Sequence, residues 1–268
     1  MSVMLMREIR FGLEAVPAGG GVNGFAGNPA LTGLGPFLKL AVGIRGEIDG
    51  RVGGTGMLVN IKVVDRVLRE AGVGRIREGY FGRRETAEVV VLGLWEILRG
   101  RFKVMPGELV EVRLGVSEYL AFSVAAKEPA MVRVSLKFEF SAAHRLHAAG
   151  LTAAENAEVF GRCNNPNGHG HNYEVEVVVS GVPGESGHVV EIGALQEIVN
   201  REIIEPFDHK HLNLDCAEFR GPGGLNPTVE NIAGVLYRRL APHVPAPGRL
   251  AALRVWETPK TMCEVGEG

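Results

Sequence analysis

Residues 160–181 read FGRCNNPNGHGHNYEVEVVVSG, a polar loop that runs into an alternating segment. In the second part, apolar side chains occupy one face of an extended chain: Tyr173, Val175, Val177 and Val179. Continuing that register backwards brings His171 and His169 onto the same face. The stretch therefore predicts a strand that begins with two imidazoles side by side.

A second alternating segment, VRVSLKFEFSAAH at 132–144, also ends on a histidine. Its apolar side chains occupy even-numbered positions, and His144 continues that face. Imidazoles from two neighbouring strands can reach one ion, and three neutral nitrogens leave one tetrahedral position open, as in catalytic zinc sites. The two segments predict a metal site formed by His144, His169 and His171.

Cys163 lies six positions before His169 and allows two interpretations. As a fourth ligand it would close the site and make the metal structural. As a neighbour of the ion it would act as a base, because a nearby cation favours the thiolate. The other histidines considered, His147, His188 and His243, lack such support and are predicted to be surface residues.

The segment PFDHKHLNLD at 206–215 follows a predicted helix with apolar positions from 192 to 203. Its Asp208 offers a carboxylate that can orient the imidazole of His209, the usual support for a proton-transfer histidine. Because adjacent side chains can also point apart, spacing alone leaves this pair open.

A second helix is predicted over 229–240 from its apolar period, with Asn226 or Thr228 as the N-cap and Pro227 in the first turn. Glu230 then lies at the positive end of this helix. An acid at a helix start commonly has only that role.

The strand LRVWETP at 253–259 places Glu257 on one face with Leu253 and Val255. A carboxylate among apolar neighbours needs a cationic or multi-donor partner. A salt bridge would satisfy it, and so would a heterocycle with adjacent N–H and NH₂ donors, such as a pterin or guanine edge.

The chain also resembles itself at a spacing of about 135–142 residues. Three pairs of stretches correspond: 37–70 with 172–202, 86–100 with 228–242, and 107–124 with 248–265. Each half reads strand–strand–helix–helix–strand–strand, and the pattern breaks near Lys127-Glu128-Pro129. The repeat predicts an α+β protein with two domains, 1–129 and 130–268.

The two halves differ in chemistry. All eight histidines lie at or beyond residue 144, and the three cysteines lie at or beyond residue 163. At an offset of 135, the residues opposite Cys163, His169 and His171 are Asn28, Leu34 and Pro36. Residues 1–130 carry a net charge of +3 and the rest −5. The first half is therefore predicted to lack metal-binding and catalytic residues.

The composition narrows the class of protein. A net charge of −2 and a pI near 6.5 give no basic surface for nucleic acid. No apolar run approaches the roughly 20 residues of a membrane span, and the first residues lack a signal-peptide pattern. Three widely spaced cysteines argue against a disulfide framework. We expect a cytoplasmic protein.

The motifs FSAAHRLH, FGRCNNPNGHGHNY, DHKHLN, PTVENIA and VWET, in this order, resemble the 6-pyruvoyl-tetrahydropterin synthase family of the tunnelling-fold (T-fold) superfamily. The resemblance covers roughly 132–265 and implies a T-fold, an antiparallel sheet with two helices on one face. The first half looks like a degenerate second copy. Such folds oligomerise into a β-barrel, so the resemblance implies a homo-oligomer with active sites between subunits.

The resemblance also implies roles for the residues already singled out. It places Zn²⁺ on His144, His169 and His171, and makes Cys163 the catalytic base. The implied proton relay is Asp208 with His209, the implied pterin anchor is Glu257, and the implied pocket lining is Thr228 with Glu230. The implied reaction is conversion of 7,8-dihydroneopterin triphosphate to 6-pyruvoyl-tetrahydropterin with loss of triphosphate, a step of tetrahydrobiopterin biosynthesis.

Two alternatives stay open. The related 6-carboxytetrahydropterin synthases of the queuosine pathway, or another pterin side-chain lyase, would use the same ligands. Those synthases usually have a shorter loop than the five residues between Cys163 and His169, so the spacing favours the pyruvoyl type. A binding or assembly protein with structural zinc is the other alternative.

Overall fold

The structure is a computed structural model that describes residues 2–13, 35–50 and 54–266. Asn28 and Leu34, the predicted counterparts of Cys163 and His169, lie outside the described residues. The chain divides into two compact units, which are described separately. The first comprises Met1–Val134 with Ser180–Val189, and the second comprises Ser135–Val179 with Val190–Gly268.

The first unit contains an antiparallel sheet in the strand order β1-β2-β3-β4. Its strands are β1 (Ser2–Gly12), β2 (Phe37–Glu47), β3 (Glu108–Gly115) and β4 (Leu120–Ala125). Its helices are α1 (Ile61–Val67), α2 (Gly74–Arg77) and α3 (Ala87–Phe102), with π-helical turns at Leu68–Val73 and Glu78–Arg83. Sheet and helices share an apolar core that includes Leu40, Val42, Leu68, Leu94 and Val112, all fully buried.

The second unit has the strand order β5-β6-β8-β9, and β7 pairs in parallel with β5. Its strands are β5 (Val132–His144), β6 (His169–Gly181), β7 (Lys210–His211), β8 (Arg249–Thr258) and β9 (Thr261–Gly266). Its helices are α4 (Ala153–Phe160), α5 (Ile192–Val199), α6 (Glu205–Phe207), α7 (Leu212–Asp215) and α8 (Val229–Leu240). A π-helical turn at Asn200–Ile204 extends α5. The first residues of β5 and the last of β6 are counted in the first unit.

The predicted strands that carry the histidines are confirmed. β6 begins at His169, so the two imidazoles lie within the strand, and its alternating Tyr173, Val175, Val177 and Val179 are fully buried. β5 ends at His144, which is also fully buried. An antiparallel sheet with helices confirms the α+β prediction. In each half two strands are followed by helices and then by two more strands, but α4 separates β5 from β6 and β7 lies among the later helices of the second half.

Two local predictions need correction. Helix α4 was absent from the predicted order, although Thr152 and Glu155 form a capping box in which each side chain accepts from the other residue's backbone N–H. Pro227 was predicted in the first turn of α8, but Thr228 is the N-cap and accepts from the Asn231 N–H. Pro227 therefore precedes the helix, which leaves its carbonyl available for a long-range contact.

Two features of the described residues bear on the predicted class. Cys163, Cys216 and Cys263 are all free thiols, as the odd, widely spaced cysteines predicted. Within the described ranges, no helix has the length and apolar character needed to cross a membrane.

Candidate metal centre and active site

The predicted histidines converge at neighbouring strand ends, where β5 ends and β6 begins. The ligand atoms of His144, His169 and His171 all lie within 4.8 Å of one another. The ring of His144 lies 4.5 Å from that of His169 and 5.1 Å from that of His171, between centroids. The period-two alternation of β6 produces this geometry, since it keeps positions 169 and 171 on one face.

A backbone contact fixes the orientation and tautomer of His144. Its Nδ1 lies 2.7 Å from the carbonyl oxygen of Pro227. Because a carbonyl only accepts, Nδ1 carries the proton and Nε2 presents a lone pair to the other two rings. The pKa of His144 is lowered to about 4, mainly by burial and also by the neighbouring imidazoles, against the opposing effect of the Pro227 carbonyl. His144 is therefore neutral at physiological pH.

His169 also has a lowered pKa. Burial first, and the nearby His171 second, lower its pKa. Its Nε2 lies 3.1 Å from Nε2 of His144. Neutral imidazoles are the form that binds metal ions.

The groups around this point fit a cation. Oε1 of Glu257 lies 3.4 Å from Nε2 of His144 and 3.7 Å from Nε2 of His171. Among the described residues, the buried Nε2 of His171 has no hydrogen-bond partner. Since a neutral imidazole lone pair repels a carboxylate oxygen, a positive charge between them would satisfy all of these acceptors. The donor set of three nitrogens fits a divalent metal ion such as zinc.

A β-bulge explains how Glu257 reaches the histidines. Trp256 pairs with Met262 and Thr258 pairs with Thr261, so Glu257 is the extra residue in β8. Leu253 and Val255 are fully buried, as the alternation predicted, and the Glu257 side chain is 19% exposed. The close neighbours of this carboxylate are imidazoles. Among the described residues, no lysine or arginine forms a salt bridge with it.

Cys163 lies on a 3₁₀ turn, Gly161–Asn164, that follows α4. Its carbonyl accepts from the Leu146 N–H at 2.8 Å, and Nε of Arg145 donates to both oxygens of Asn164 at 3.1–3.2 Å. Residues just after His144 thus hold this turn. Cys163 and His169 line one cavity of about 670 Å³. Within the described residues, the convergent ligand group consists of the three histidines and does not include Cys163.

Asp208 and His209 form a hydrogen-bonded pair. Oδ2 of Asp208 lies 2.7 Å from Nδ1 of His209, and Oδ1 accepts from the Ser141 N–H at 2.8 Å. The Ser141 bond first, and the His209 bond second, lower the pKa of Asp208. The backbone of His209 is left-handed, with φ of 55°, an uncommon conformation for a residue with a Cβ. The neighbouring residues therefore touch instead of pointing apart.

His209 of this pair lines a second cavity of about 670 Å³, together with His171, His211 and Asp215. The His209 side chain is 82% exposed. Each cavity is lined by one of the three convergent histidines, His169 on the Cys163 side and His171 on the His209 side.

Thr228 and Glu230 lie at the start of α8. Thr228 is half-buried as the N-cap, and Glu230 is exposed in the first turn. Burial first, and the charge of Glu230 second, raise the pKa of the Cys263 thiol on β9, so Glu230 lies close to that strand. Of the predicted substrate-binding residues, Glu257 is the one that the structure brings to the histidines.

Sequence reasoning missed several supporting residues. The side-chain amide of Asn213 accepts from the Arg145 N–H at 2.8 Å and donates to the Arg145 carbonyl at 3.0 Å. Asn226 accepts from the His147 N–H at 3.1 Å. The side chain of His211 was also overlooked, although it lines the His209 cavity. Contacts to backbone groups of distant residues leave no periodic signal in a sequence.

Comparison with known proteins places the chain in a family. The sequence profile described as 6-pyruvoyl tetrahydropterin synthase matches residues 133–268. The chain belongs to the 6-pyruvoyl tetrahydropterin synthase family. It is 39% identical over 127 residues to the human 6-pyruvoyl tetrahydrobiopterin synthase, covering 47% of this chain and 85% of that protein. Membership confirms the prediction of a lyase.

Two further relatives extend the comparison. The 6-carboxy-5,6,7,8-tetrahydropterin synthase of Haemophilus influenzae is 28% identical over 157 residues, covering 51% of this chain and all of that protein. The structure of Caenorhabditis elegans 6-pyruvoyl tetrahydropterin synthase is 34% identical, with a TM-score of 0.48, covering 52% of this chain and 96% of that one.

Proposed function

We propose that this protein is a zinc-dependent synthase that converts 7,8-dihydroneopterin triphosphate to 6-pyruvoyl-tetrahydropterin and eliminates triphosphate. The observation that carries the proposal is the convergence of three imidazoles, two of them with lowered pKa values, beside the Glu257 carboxylate. Identity to the human enzyme supports the pyruvoyl product. The reaction would serve tetrahydrobiopterin biosynthesis.

His144, His169 and His171 would hold the zinc through their ring nitrogens. Three protein ligands are typical of catalytic zinc, and zinc held by these histidines would supply Lewis acidity toward the substrate side chain. The Pro227 carbonyl keeps the proton of His144 on Nδ1, away from the ion.

Cys163 would act as the general base. Its half-exposed thiol lines the cavity that it shares with His169, so Sγ can take a proton from a side-chain carbon of a bound pterin. The bonds from Arg145 and Leu146 hold the turn and limit movement of that sulfur.

Asp208 and His209 would move the second proton. The lowered pKa of Asp208 keeps its carboxylate charged, and the 2.7 Å contact lets it stabilise a proton on Nδ1 of His209. Nε2 of His209 then exchanges a proton with the substrate hydroxyl or with solvent.

Glu257 would anchor the pterin through its two carboxylate oxygens, which match adjacent ring N–H and NH₂ donors. Because Glu257 lies in the bulge beside the histidines, a pterin bound to it would lie near the zinc. Thr228 and Glu230, at the start of α8, would line the same pocket.

We also propose that residues 1–129 and 130–268 are tandem T-folds and that the first lacks metal and catalytic residues. Sheet edges would pair with those of other copies to form a β-barrel, because an unpaired edge favours association. The protein would thus be a homo-oligomer with active sites between subunits. Free cysteines support a reducing, cytoplasmic location.

The decisive experiment supplies zinc-loaded protein with 7,8-dihydroneopterin triphosphate, then measures triphosphate release and identifies the pterin product by mass spectrometry. We expect 6-pyruvoyl-tetrahydropterin. A 6-carboxytetrahydropterin product would replace the proposal with its nearest alternative, the activity named for the H. influenzae relative. Bound zinc without any turnover would support a structural metal.

The Cys163→Ala variant tests the base. It should retain zinc and lose turnover by about 10²–10⁴-fold, the usual contribution of general acid–base catalysis. Unchanged turnover with zinc bound would remove Cys163 from that role.

A further inference from the structure

In the first unit, the start of α3 holds a glycine turn. Thr86, the N-cap of α3, donates from Oγ1 to the Gly187 carbonyl at 2.7 Å. Oε1 of Glu88 accepts from the Val189 N–H at 3.4 Å and lies 3.3 Å from Nδ1 of His188. His188 is therefore a half-buried contact residue, although the sequence predicted a surface position.

This contact leaves little room for a side chain. Gly187 has φ of 80°, and a Cβ there would lie 3.0 Å from Oγ1 and 3.1 Å from Cγ2 of Thr86. The carboxylate that completes the contact, Glu88, is 1% exposed. The turn and the helix start therefore form a packed, hydrogen-bonded pair.

The chain contains a second copy of the turn. In the internal repeat, Gly56 corresponds to Gly187, and its φ is 66°. The Gly56 N–H donates to the Asp49 carbonyl and the Asp49 N–H to the Met57 carbonyl, both at 3.1 Å. The first turn has the same pattern: Gly187 N–H to Gly184 carbonyl at 2.9 Å, and Gly184 N–H to His188 carbonyl at 3.0 Å. Both turns thus have the same two hydrogen bonds beside a left-handed glycine, although the first spans four residues and the second eight.

The second turn is open. A Cβ on Gly56 would meet no described atom within 4 Å, and Met57 is 43% exposed. Within the described part of one chain, nothing covers Gly56 in the way that Thr86 covers Gly187.

The chain also contains a second copy of the helix start. In the repeat, Thr228 and Glu230 correspond to Thr86 and Glu88. The N-cap dihedral angles are −71° and 158° at Thr228, against −68° and 159° at Thr86, and each hydroxyl accepts from an N–H three residues on. Glu88 is buried, whereas Glu230 is exposed.

We infer that the start of α8 in one copy of this protein docks onto the Gly56 turn of a second copy. Oγ1 of Thr228 would donate to the Gly56 carbonyl, and Glu230 would accept from the Leu58 N–H. The packed pair within the first unit is the template for both bonds. The net charges of +3 for residues 1–130 and −5 for the remainder favour this pairing of unlike halves.

The docking adds a wall to the site. Thr228 and Glu230 are proposed pocket residues, so the second copy's turn would lie beside the pterin; this consequence rests on the proposed function. The contact itself depends only on the turn and the helix start.

The Gly56→Asn variant tests the docking, because asparagine tolerates left-handed backbone and the turn has room for it within one chain. In the docked pair, the new Cβ at position 56 would press against Thr228 of the other copy. The template for this is Gly187, where an added Cβ would press against Thr86. Sedimentation velocity should show assembly weakened by at least about tenfold, a loss near 1.4 kcal/mol. The matched control is Gly221→Asn, at φ of 78° and with no described atom within 4 Å of a Cβ built there, which should assemble normally.

Wild-type protein that stays monomeric at micromolar concentration would overturn the inference, and so would a Gly56→Asn variant that assembles as tightly as the control. Circular dichroism of both variants checks that each is folded.

A second measurement needs no clash. A photo-crosslinker replacing Met57 should capture the peptide containing residues 228–231 in mixed pairs of isotopically light and heavy chains. If the crosslinks join only light to light and heavy to heavy peptides of the same chain, docking between copies is contradicted. Neither measurement needs turnover, so a chain that assembles this way yet releases no triphosphate refutes only the proposed function.

Discussion

The same corner of the sheet is built in two ways in the two units. At the end of the β1–β2 pair, Phe11 and Leu13 are almost fully buried, and the Leu13 N–H donates to the Pro36 carbonyl at 2.8 Å. At the corresponding end of β5 and β6, the residues are His144, His169 and His171. Pro36 is the residue that the repeat sets opposite His171.

The difference separates what the fold needs from what the chemistry needs. An apolar corner stabilises the strand ends by burial and needs no bound ligand. A corner with three imidazoles and a carboxylate brings hydrogen-bond acceptors together without donors between them. This arrangement is unfavourable until a cation binds. Sites that break a local packing rule in this way are commonly functional.

The largest effect should come from removing one imidazole. His169→Ala should lower bound zinc from one per chain to below about 0.1, and turnover by at least about 10³-fold, because the ion loses one of three protein ligands. Metal analysis after dialysis and a triphosphate assay measure both. The exposed His243 provides the control, since His243→Ala should change neither value; retention of zinc by His169→Ala would show that the ion binds elsewhere.

Removing the metal should affect the two corners unequally. Free zinc at 1,000 times its dissociation constant adds about 4 kcal/mol to the free energy of unfolding, so chelation should lower the melting temperature by roughly 8–16 °C. Hydrogen exchange should accelerate at the ends of β5 and β6 and stay unchanged at the β1–β2 end. Equal acceleration at both ends would mean that the metal does not specifically stabilise the ends of β5 and β6.

The relay pair should give a smaller effect on turnover. Asp208→Asn removes the charge that supports a proton on His209, and should reduce kcat by about 10²-fold while zinc is retained. Steady-state kinetics with metal analysis tests this. Asp65→Asn, which disturbs the Arg7 ion pair of the first unit, is the control. Equal losses in both variants would indicate a general effect on stability.

The smallest expected effect is a difference in the free energy of unfolding between substitutions at the two helix starts. Thr86→Ala should cost about 2 kcal/mol, one for the cap and one for the bond to Gly187, whereas Thr228→Ala should cost about 1 kcal/mol for the cap alone. Urea unfolding in the Gly56→Asn background, where docking is weakened, and at protein concentrations low enough to keep the chain monomeric, measures both. Equal costs would mean that the bond to Gly187 contributes nothing.

The sequence predicted the parts of this site that follow a repeating pattern. Alternation along β5 and β6 placed the three histidines together because a pleated strand repeats every two residues. The same rule predicted Glu257 on the face of Leu253 and Val255, both of which are fully buried, but it did not predict the bulge at Glu257.

The parts that depend on long-range backbone contacts were not predictable. The Pro227 carbonyl that orients His144 is 83 residues away in sequence. The bulge that re-aims Glu257 and the left-handed backbone of His209 likewise reflect tertiary packing, which single-sequence patterns do not encode. Helix α4 could have been found, because Thr152 and Glu155 have capping-box spacing.

The most direct test of the central claim is the X-ray absorption spectrum of the zinc-loaded protein. Our account predicts three nitrogen neighbours at about 2.0–2.1 Å and one light oxygen ligand. A sulfur neighbour at about 2.3 Å would mean that Cys163 closes the site, and would contradict a catalytic metal with an open position.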